Sequence, residues 1–338
     1  ILTNNTDYGN GGGRLSADLI SGIKAAGHEV QVEQGDLSLF SIFSIRKRIK
    51  ACDIVHVMDG YPYAVIAALA NLGLRKKLLI TLVGTYSVAP LHNVKMAWLL
   101  RWAYRSADAV ASISSYTRQE VLKKVELKNI AIITPGIDLP QFLRPHIASS
   151  ENFILSVGAL KYRKGYHISI PAFARAKKQI PDLRYKIVGS QSDVNYFNRL
   201  KETAQELKVE HDIDFLTDLT DGELGKLYQR ARLFLLTSIN HNHHFEGFGI
   251  VFLEAAAKGL PVVGTRGNGI EDALKDGYNG YAVAQNDIEA TAQKTVEILG
   301  NQSQYQNFSR NSIDWARENS QENSTAKYLE IYRKVFSP

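Results

Sequence analysis

Two glutamates with seven residues between them, Glu246 and Glu254, stand in the run Phe245-Glu246-Gly247-Phe248-Gly249-Ile250-Val251-Phe252-Leu253-Glu254. Gly247 and Gly249 fall where a helix should begin. A helix N-terminus relieved by glycine turns tightly and leaves the first N–H groups, here those of Gly247 to Val251, free to face an anion. An unpaired carboxylate beside an anion is repelled. The two acids are therefore expected to hold hydroxyl groups while the amides hold the charge. Hydroxyls and phosphates in one ligand point to a nucleotide sugar. Glu254 is flanked by Phe252, Leu253, Ala255, Ala256 and Ala257, which predicts burial, and a buried carboxylate needs partners.

Other residues suit the same ligand. Arg163 and Lys164 follow a strand that ends at Gly158 and precede Gly165, so their cations could neutralise a diphosphate leaving group; a solvated loop is the plain alternative. Gly11-Gly12-Gly13 reads as a loop after the first strand, either a phosphate cradle or a flexible connection. It matches neither the dinucleotide fingerprint nor a P-loop. Gly84 and Thr85 end another strand, where open α/β sheets bind ligands. His241, His243 and His244 have spacing open to zinc, but no cysteine or further acid completes the set, and an exposed loop near the acceptor is the preferred reading. No Asp-x-Asp pair is taken to hold a magnesium diphosphate, so a site without metal is expected. No G-x-S-x-G elbow supports hydrolysis.

These residues need a scaffold of strands whose ends meet loops. The pattern supplies it: Glu29–Val32, Asp53–Val57, Leu78–Val83, Ala109–Ile113, Ala131–Ile133, Phe153–Val157, Tyr185–Gly189, Asp214–Leu216, Leu233–Thr237, Val262–Val263 and the segment closing on Val283 read as strands. Leu15–Ala26, Tyr63–Leu72, Val94–Arg105, Ser114–Lys124, Tyr166–Lys178, Asp221–Arg230, Ile250–Lys258, Asp287–Leu299 and most of 303–336 read as helices. Strand and helix alternate in both halves, which predicts two doubly wound α/β domains. Residues 139–150 lose periodicity, carry two prolines and read as the linker. The expected domains are 1–145 and 151–320, with 321–338 a last helix.

The chain has 338 residues, with 45% hydrophobic and 22% charged, ordinary for a globular protein of two domains. The net charge of +6 is uneven: residues 1–150 hold 17 Lys and Arg against 11 Asp and Glu, while the rest is balanced. A basic first half suits an anionic surface, membrane or nucleic acid, or serves only solubility. Trp98, Arg101, Trp102 and Arg105 could lie on a membrane, although aromatics on such a helix more often pack inward. The lone cysteine, Cys52, excludes an internal disulfide and fits a reducing compartment. No apolar run approaches the ~20 residues of a transmembrane helix. The opening Ile1-Leu2-Thr3 reads as the end of a first strand rather than a signal peptide.

The chain resembles the retaining glycosyltransferases of the GT-B fold, family four. The resemblance rests on Glu246 and Glu254 at E-x7-E spacing, followed by Gly259-Leu260-Pro261-Val262-Val263. Gly11–Gly13, Gly84-Thr85, Ser114-x-Tyr116-Thr117, Pro135-Gly136-Ile137-Asp138, Lys164-Gly165 and Asp276-Gly277-x-Asn279-Gly280 support it in the family's order.

This resemblance implies two Rossmann-like domains facing a cleft, an acceptor-side first domain, a nucleotide-sugar-binding second domain and a last helix crossing back to the first. It implies that Glu254 holds the ribose and Glu246 the sugar hydroxyls. Phe248, Gly249, Ile250 and Val251 would bind sugar and diphosphate through their amides. Lys164 and the amides of the Gly12 loop would meet the diphosphate, and Gly158 and Gly84 would line the donor site. Retention would come from front-face attack assisted by the leaving phosphate. Two positions depart: Val83 stands where the family often has His, and Ala159 where it often has Arg, a charge that Lys161 or Arg163 could replace.

The expected activity is a metal-independent, cytoplasmic retaining hexosyltransferase, peripheral on the membrane face. It would use a UDP- or GDP-linked sugar and a lipid-linked or glycan acceptor in cell-envelope or polysaccharide synthesis. A sugar-nucleotide epimerase of the same fold, a catalytically silent partner of another transferase and a nucleic-acid binder are the rival classes.

Overall fold

The computed structural model describes residues 1–7, 11–35, 37–142 and 151–337. Residues 8–10 of the expected glycine loop and 143–150 of the expected linker lie outside the described residues. The chain divides into two compact units, Ile1–Asp138 with Asn319–Pro338, and Leu139–Glu318.

The first unit is built on β1 (Leu2–Thr3), β2 (Glu33–Gln34), β3 (Ile54–Met58), β4 (Lys77–Leu82), β5 (Ala109–Ser112) and β6 (Ala131–Ile132). They form one six-stranded sheet in the order β2-β1-β3-β4-β5-β6, parallel throughout. β4 reads Lys-Leu-Leu-Ile-Thr-Leu and is buried after its first residue, the near-continuous apolar run of a parallel strand covered on both faces. The order reverses between β1 and β3, which makes that junction the unit's topological switch point.

Two expectations here are corrected. The strand foreseen at Glu29–Val32 lies at Glu33–Gln34, because β1 offers only two residues and its register pairs Leu2 with Glu33 and Thr3 with Gln34. The glycines foreseen as a loop belong to the helix Gly11–Ala25 and form its first turn. Gly13 permits the close approach of that turn to the end of β1: a Cβ there would sit 2.0 Å from Asn5 Oδ1.

The last helix, Gln321–Phe336, belongs to this unit and packs on Gly11–Ala25. Gly22 leaves room for Thr325, and Gln321 Nε2 donates to the Asp18 carbonyl at 2.6 Å. Buried His56 on β3 pairs with Tyr332 Oη (2.6 Å) and Thr81 Oγ1 (2.8 Å), joining this helix to two strands. Burial pushes the imidazole down to about 3, so His56 is neutral. Val94–Ser106, capped by the Asn93 side chain on the Lys95 N–H, buries Ala97, Leu100, Ala103 and Tyr104. Trp98 is 63% exposed, against the inward packing preferred for it.

The second unit holds β7 (Phe153–Val157), β8 (Arg184–Val188), β9 (Ile213–Leu216), β10 (Leu233–Leu235), β11 (Val262–Thr265) and β12 (Gly280–Val283). Its six-stranded parallel sheet runs β12-β11-β10-β7-β8-β9, and the order reverses between β7 and β10. Beyond helices of a single turn, two helices among the described residues were not foreseen, one in each unit. Ile42–Ile49 buries only Ile45 and Ile49 and carries Arg46, Lys47 and Arg48 in its last turn. Val194–Glu206 carries a readable stripe at Tyr196, Leu200 and Ala204.

Candidate active site

The second unit's switch point gathers most of the residues singled out by chemistry. β7 delivers the chain to Gly158, whose φ of +152° is freely open only to glycine. The turn Tyr162–Lys164 follows. Gly165, at φ +72°, lies so close to the chain leaving β10 that a Cβ would meet the Thr237 carbonyl at 1.8 Å. Thr237 Oγ1 donates to the Gly165 carbonyl (2.7 Å) and the Ile239 N–H to that of Arg163 (2.8 Å). The turn is thereby clamped to the end of β10, with Arg163 and Lys164 carried on it.

The loop bearing Glu246 is fixed from the other side. The Gly269 N–H donates to the Glu246 carbonyl at 2.8 Å, and a Cβ on Gly269 would strike the Gly247 carbonyl at 2.1 Å. Lys164 Nζ then lies 2.5 Å from Glu246 Oε2, with Arg163 Nη1 at 3.4 Å and Ser238 Oγ at 3.3 Å from the same oxygen. Burial opposes ionisation of Glu246, but Lys164 and Arg163 outweigh it and hold the carboxyl below its usual range. The same burial draws the Lys164 ammonium down while Glu246 opposes it. Glu246, expected to hold ligand hydroxyls, is thus already matched by two cations of the chain itself. Of the two cations considered for the charge missing at Ala159, Arg163 is the one in contact with Glu246, while Lys161 is exposed.

Gly249, at φ +89°, caps the helix Ile250–Ala257 without a side-chain hydrogen bond. The Phe252 N–H closes onto the Gly249 carbonyl at 3.0 Å. The N–H groups of Ile250 and Val251 have no acceptor among the described residues, the ordinary state of a helix's first turn. Phe248 is buried beside them. Phe252 meets Phe234 of β10 edge to face at 5.0 Å, and both are fully buried; each such ring contributes on the order of 2 kcal/mol. One turn further, Glu254 is buried as expected, and Tyr228 Oη donates to its Oε2 at 2.8 Å. Sequence reasoning does not single out Ser238 or Tyr228: Tyr228 sits inside the helix Asp221–Arg230, distant in sequence from the Glu254 it meets.

The remaining glycines belong to the first unit. Gly12 is exposed and Gly13 buried at the helix start, and Gly84 turns with φ +55° at the end of β4. Half-buried Val83 gives its N–H to Ser87 Oγ at 2.7 Å. His241 packs its ring on Tyr162 with centroids 4.8 Å apart. Among the described residues no group of three or more His, Cys, Asp or Glu is placed to hold a metal. An Asp-x-Asp pair overlooked in the sequence does exist, but Asp212 pairs with Lys177 (3.0 Å) and Asp214 with Arg184 (3.3 Å) and Lys186 (3.4 Å). Among the described residues no helix is long and apolar enough to cross a membrane.

The arrangement offers two cations and free amides to a diphosphate, and two placed carboxylates to hydroxyls. The family model of glycosyl transferases group 1 matches residues 141–315, and that of glycosyltransferase family 4 matches residues 33–141. The chain belongs to the glycosyl transferases group 1 family. It is 30% identical to the D-inositol 3-phosphate glycosyltransferase of Corynebacterium urealyticum over 61% of this chain, and spans 51% of that enzyme's length. It is 26% identical to the N-acetyl-alpha-D-glucosaminyl L-malate synthase of Bacillus anthracis over 91% of this chain and 84% of the relative. A glycosyltransferase from Rickettsia africae superposes with a TM-score of 0.81 at 22% identity, covering 99% of this chain and 98% of the other. HepE of Anabaena in complex with UDP-glucose gives 0.81 at 17% identity over 98% of each chain. The fold of this glycosyltransferase is GT-B, with two Rossmann-like parallel-sheet units.

Proposed function

We propose that this glycosyltransferase is a retaining hexosyltransferase. It takes a sugar from a UDP- or GDP-linked donor and gives it to a lipid-linked or glycan acceptor in cell-envelope or polysaccharide synthesis. The observation that carries the reading is the contact of Lys164 and Arg163 with Glu246 beside the open first turn of Ile250–Ala257. UDP as the nucleotide is supported by the UDP-glucose complex of HepE from Anabaena.

In this reading the second unit holds the donor. Glu254, oriented by Tyr228, takes the ribose hydroxyls, and Glu246 takes hydroxyls of the sugar. The bond from the anomeric carbon to the diphosphate oxygen breaks and its electron pair stays on the diphosphate. Lys164, Arg163 and the amides of Gly247 to Val251 stabilise that charge. The acceptor oxygen bonds to the anomeric carbon on the same face, and its proton passes to the leaving phosphate. No side chain has to act as base and no metal is required. Gly158 lines the donor site.

The basic first unit suits an anionic membrane face, with a cytoplasmic, peripheral placement. Phe40 and Phe43 are 91% and 82% exposed beside Arg46, Lys47 and Arg48, which supports that surface.

Titration with UDP, GDP and ADP, followed by incubation of the preferred nucleotide's sugars with acceptors, tests the proposal. Acceptor-dependent nucleotide release with an unchanged anomeric configuration by NMR is expected. Inversion overturns retention, donor isomerisation assigns an epimerase, and binding without turnover assigns a silent partner.

A further inference from the structure

Asp59 carries a set of costs that no packing role repays. It is the first residue beyond the paired edge of β3, where Thr3 and Met58 form the last pair with β1, at the switch point of the first sheet. Its φ is +143°, a conformation costly to every residue but glycine. The side chain is buried and touches no cation. Oδ1 accepts the Gly60 N–H at 2.6 Å and the Ser87 hydroxyl at 3.3 Å. Ser87 Oγ already accepts the Val83 N–H, so its own proton is directed at Asp59. Tyr104 closes the far side by donating to the Ser87 carbonyl at 2.9 Å. Oδ2 has no partner among the described residues. One oxygen is locked, and the other is presented where parallel sheets bind their ligands. Glycine here would carry neither the strain nor the desolvation.

We propose that Asp59 is an acceptor-binding residue, whose Oδ2 accepts a hydrogen bond from a hydroxyl group of a polyol or sugar acceptor docked at the C-terminal edge of the first sheet. This rests on the transferase reading and adds to it a residue of the acceptor unit. Burial raises the carboxyl to about 7 against the hydrogen bonds from Gly60 and Ser87. Tyr104 is the one ionisable group among the described residues that interacts with it electrostatically, and its own value is raised well above the usual, so it stays neutral. Acceptor binding therefore strengthens as pH rises through about 7, because an ionised acceptor atom makes the stronger hydrogen bond.

The test compares the wild-type protein with Asp59→Gly and Asp59→Asn. UDP affinity is measured by calorimetry, and transfer from UDP-glucose to myo-inositol, methyl α-glucoside and glycerol is followed from pH 5.5 to 8.5. Asp59→Gly is expected to raise the KM of the preferred acceptor about tenfold or more, as loss of a hydrogen bond to a charged group does. UDP affinity should stay within twofold and Tm should not fall. Asp59→Asn should fold and lose the pH dependence of acceptor KM. An unchanged acceptor KM in Asp59→Gly overturns the proposal, as does a fall in Tm with a matching loss of UDP affinity. UDP binding by the wild type without transfer to any of the three acceptors overturns the assignment and leaves the donor site standing. Binding of neither UDP nor GDP by the wild type overturns the transferase reading, and the assignment with it.

Discussion

Lys164 Nζ stands 2.5 Å from Glu246 Oε2, with each side chain 12% exposed. A sequence scan sees a cation suited to diphosphate and an acid suited to a sugar, 82 positions apart. The fold makes them one another's counter-ions. An ammonium has three donors, so Lys164 can keep Glu246 and still turn a donor toward phosphate. Removing it leaves a mostly buried carboxylate with only Arg163 at 3.4 Å and Ser238 at 3.3 Å. Lys164→Ala is expected to cost on the order of 3 kcal/mol in stability and to lower kcat/KM by roughly a hundredfold or more. Urea unfolding and steady-state kinetics check the two parts separately.

The pair also sets an acid limb of stability. Glu246 is depressed in the folded chain, since its cations outweigh burial. Its stabilising contribution is then complete above the ordinary carboxylate value of about 4.3 and is lost as pH falls through the lower folded value. Glu246→Gln cannot show that loss. The gap in stability between the wild type and Glu246→Gln should shrink as pH falls below about 4.5. Denaturant midpoints collected from pH 3 to 7 measure it, and a constant gap contradicts the assigned charge state.

Gly165 shows how narrowly the cations are placed. With φ +72° and the Thr237 carbonyl 1.8 Å from where a Cβ would stand, alanine meets strain and a clash against backbone that cannot yield cheaply. Gly165→Ala is expected to cost about 2 kcal/mol or more. It should also weaken UDP binding by shifting Lys164 from Glu246. Tm and calorimetric Kd should fall together, whereas Gly222→Ala, with nothing within 4 Å of the added Cβ, should leave both unchanged.

Tyr228 tests the nucleotide end. Its hydroxyl donates to Glu254 Oε2 at 2.8 Å inside the core. Tyr228→Phe keeps the ring against Phe234 and removes only that donor. A loss of about 1–2 kcal/mol in stability and a several-fold weaker UDP Kd are expected. Unchanged UDP affinity with reduced stability reassigns Tyr228 to folding alone.

The residues explain what was legible in the chain. The helix Asp221–Arg230 has its capping box, Thr220 with Glu223, written in the sequence, and its bounds could be read directly. The strand Phe153–Val157 is equally plain as an apolar run closed by glycine. Glu246, Glu254 and the glycines around them were legible because helix entry demands particular residues at particular spacings. β2 was not, since its position depends on the two residues of β1 that pair with it. The counter-ion of Glu246 was not, because strand order alone brings the end of β7 beside that of β10. Asp59 escaped because its φ and its unshared oxygen exist only in the fold; the single local signal was an acid placed before Gly60 at a strand's end.

That hidden residue yields a stability prediction opposite in sign to Glu246. A carboxyl near 7 in the folded chain and about 3.9 when unfolded binds more protons folded than unfolded between those values. Folding is then progressively disfavoured as pH rises from about 4 to about 7, and the penalty stays constant above. Asp59→Asn lacks the titration, keeps an oxygen for the Gly60 N–H, and is a side chain that tolerates positive φ better than most. It should exceed the wild type in stability at pH 8 by a few kcal/mol at most, with the advantage fading toward pH 4. Chemical denaturation at pH 4, 6 and 8 reads it out. A variant less stable than the wild type at pH 8 shows that the carboxylate is satisfied in the folded chain, and removes the strain argument on which its role in acceptor binding stands.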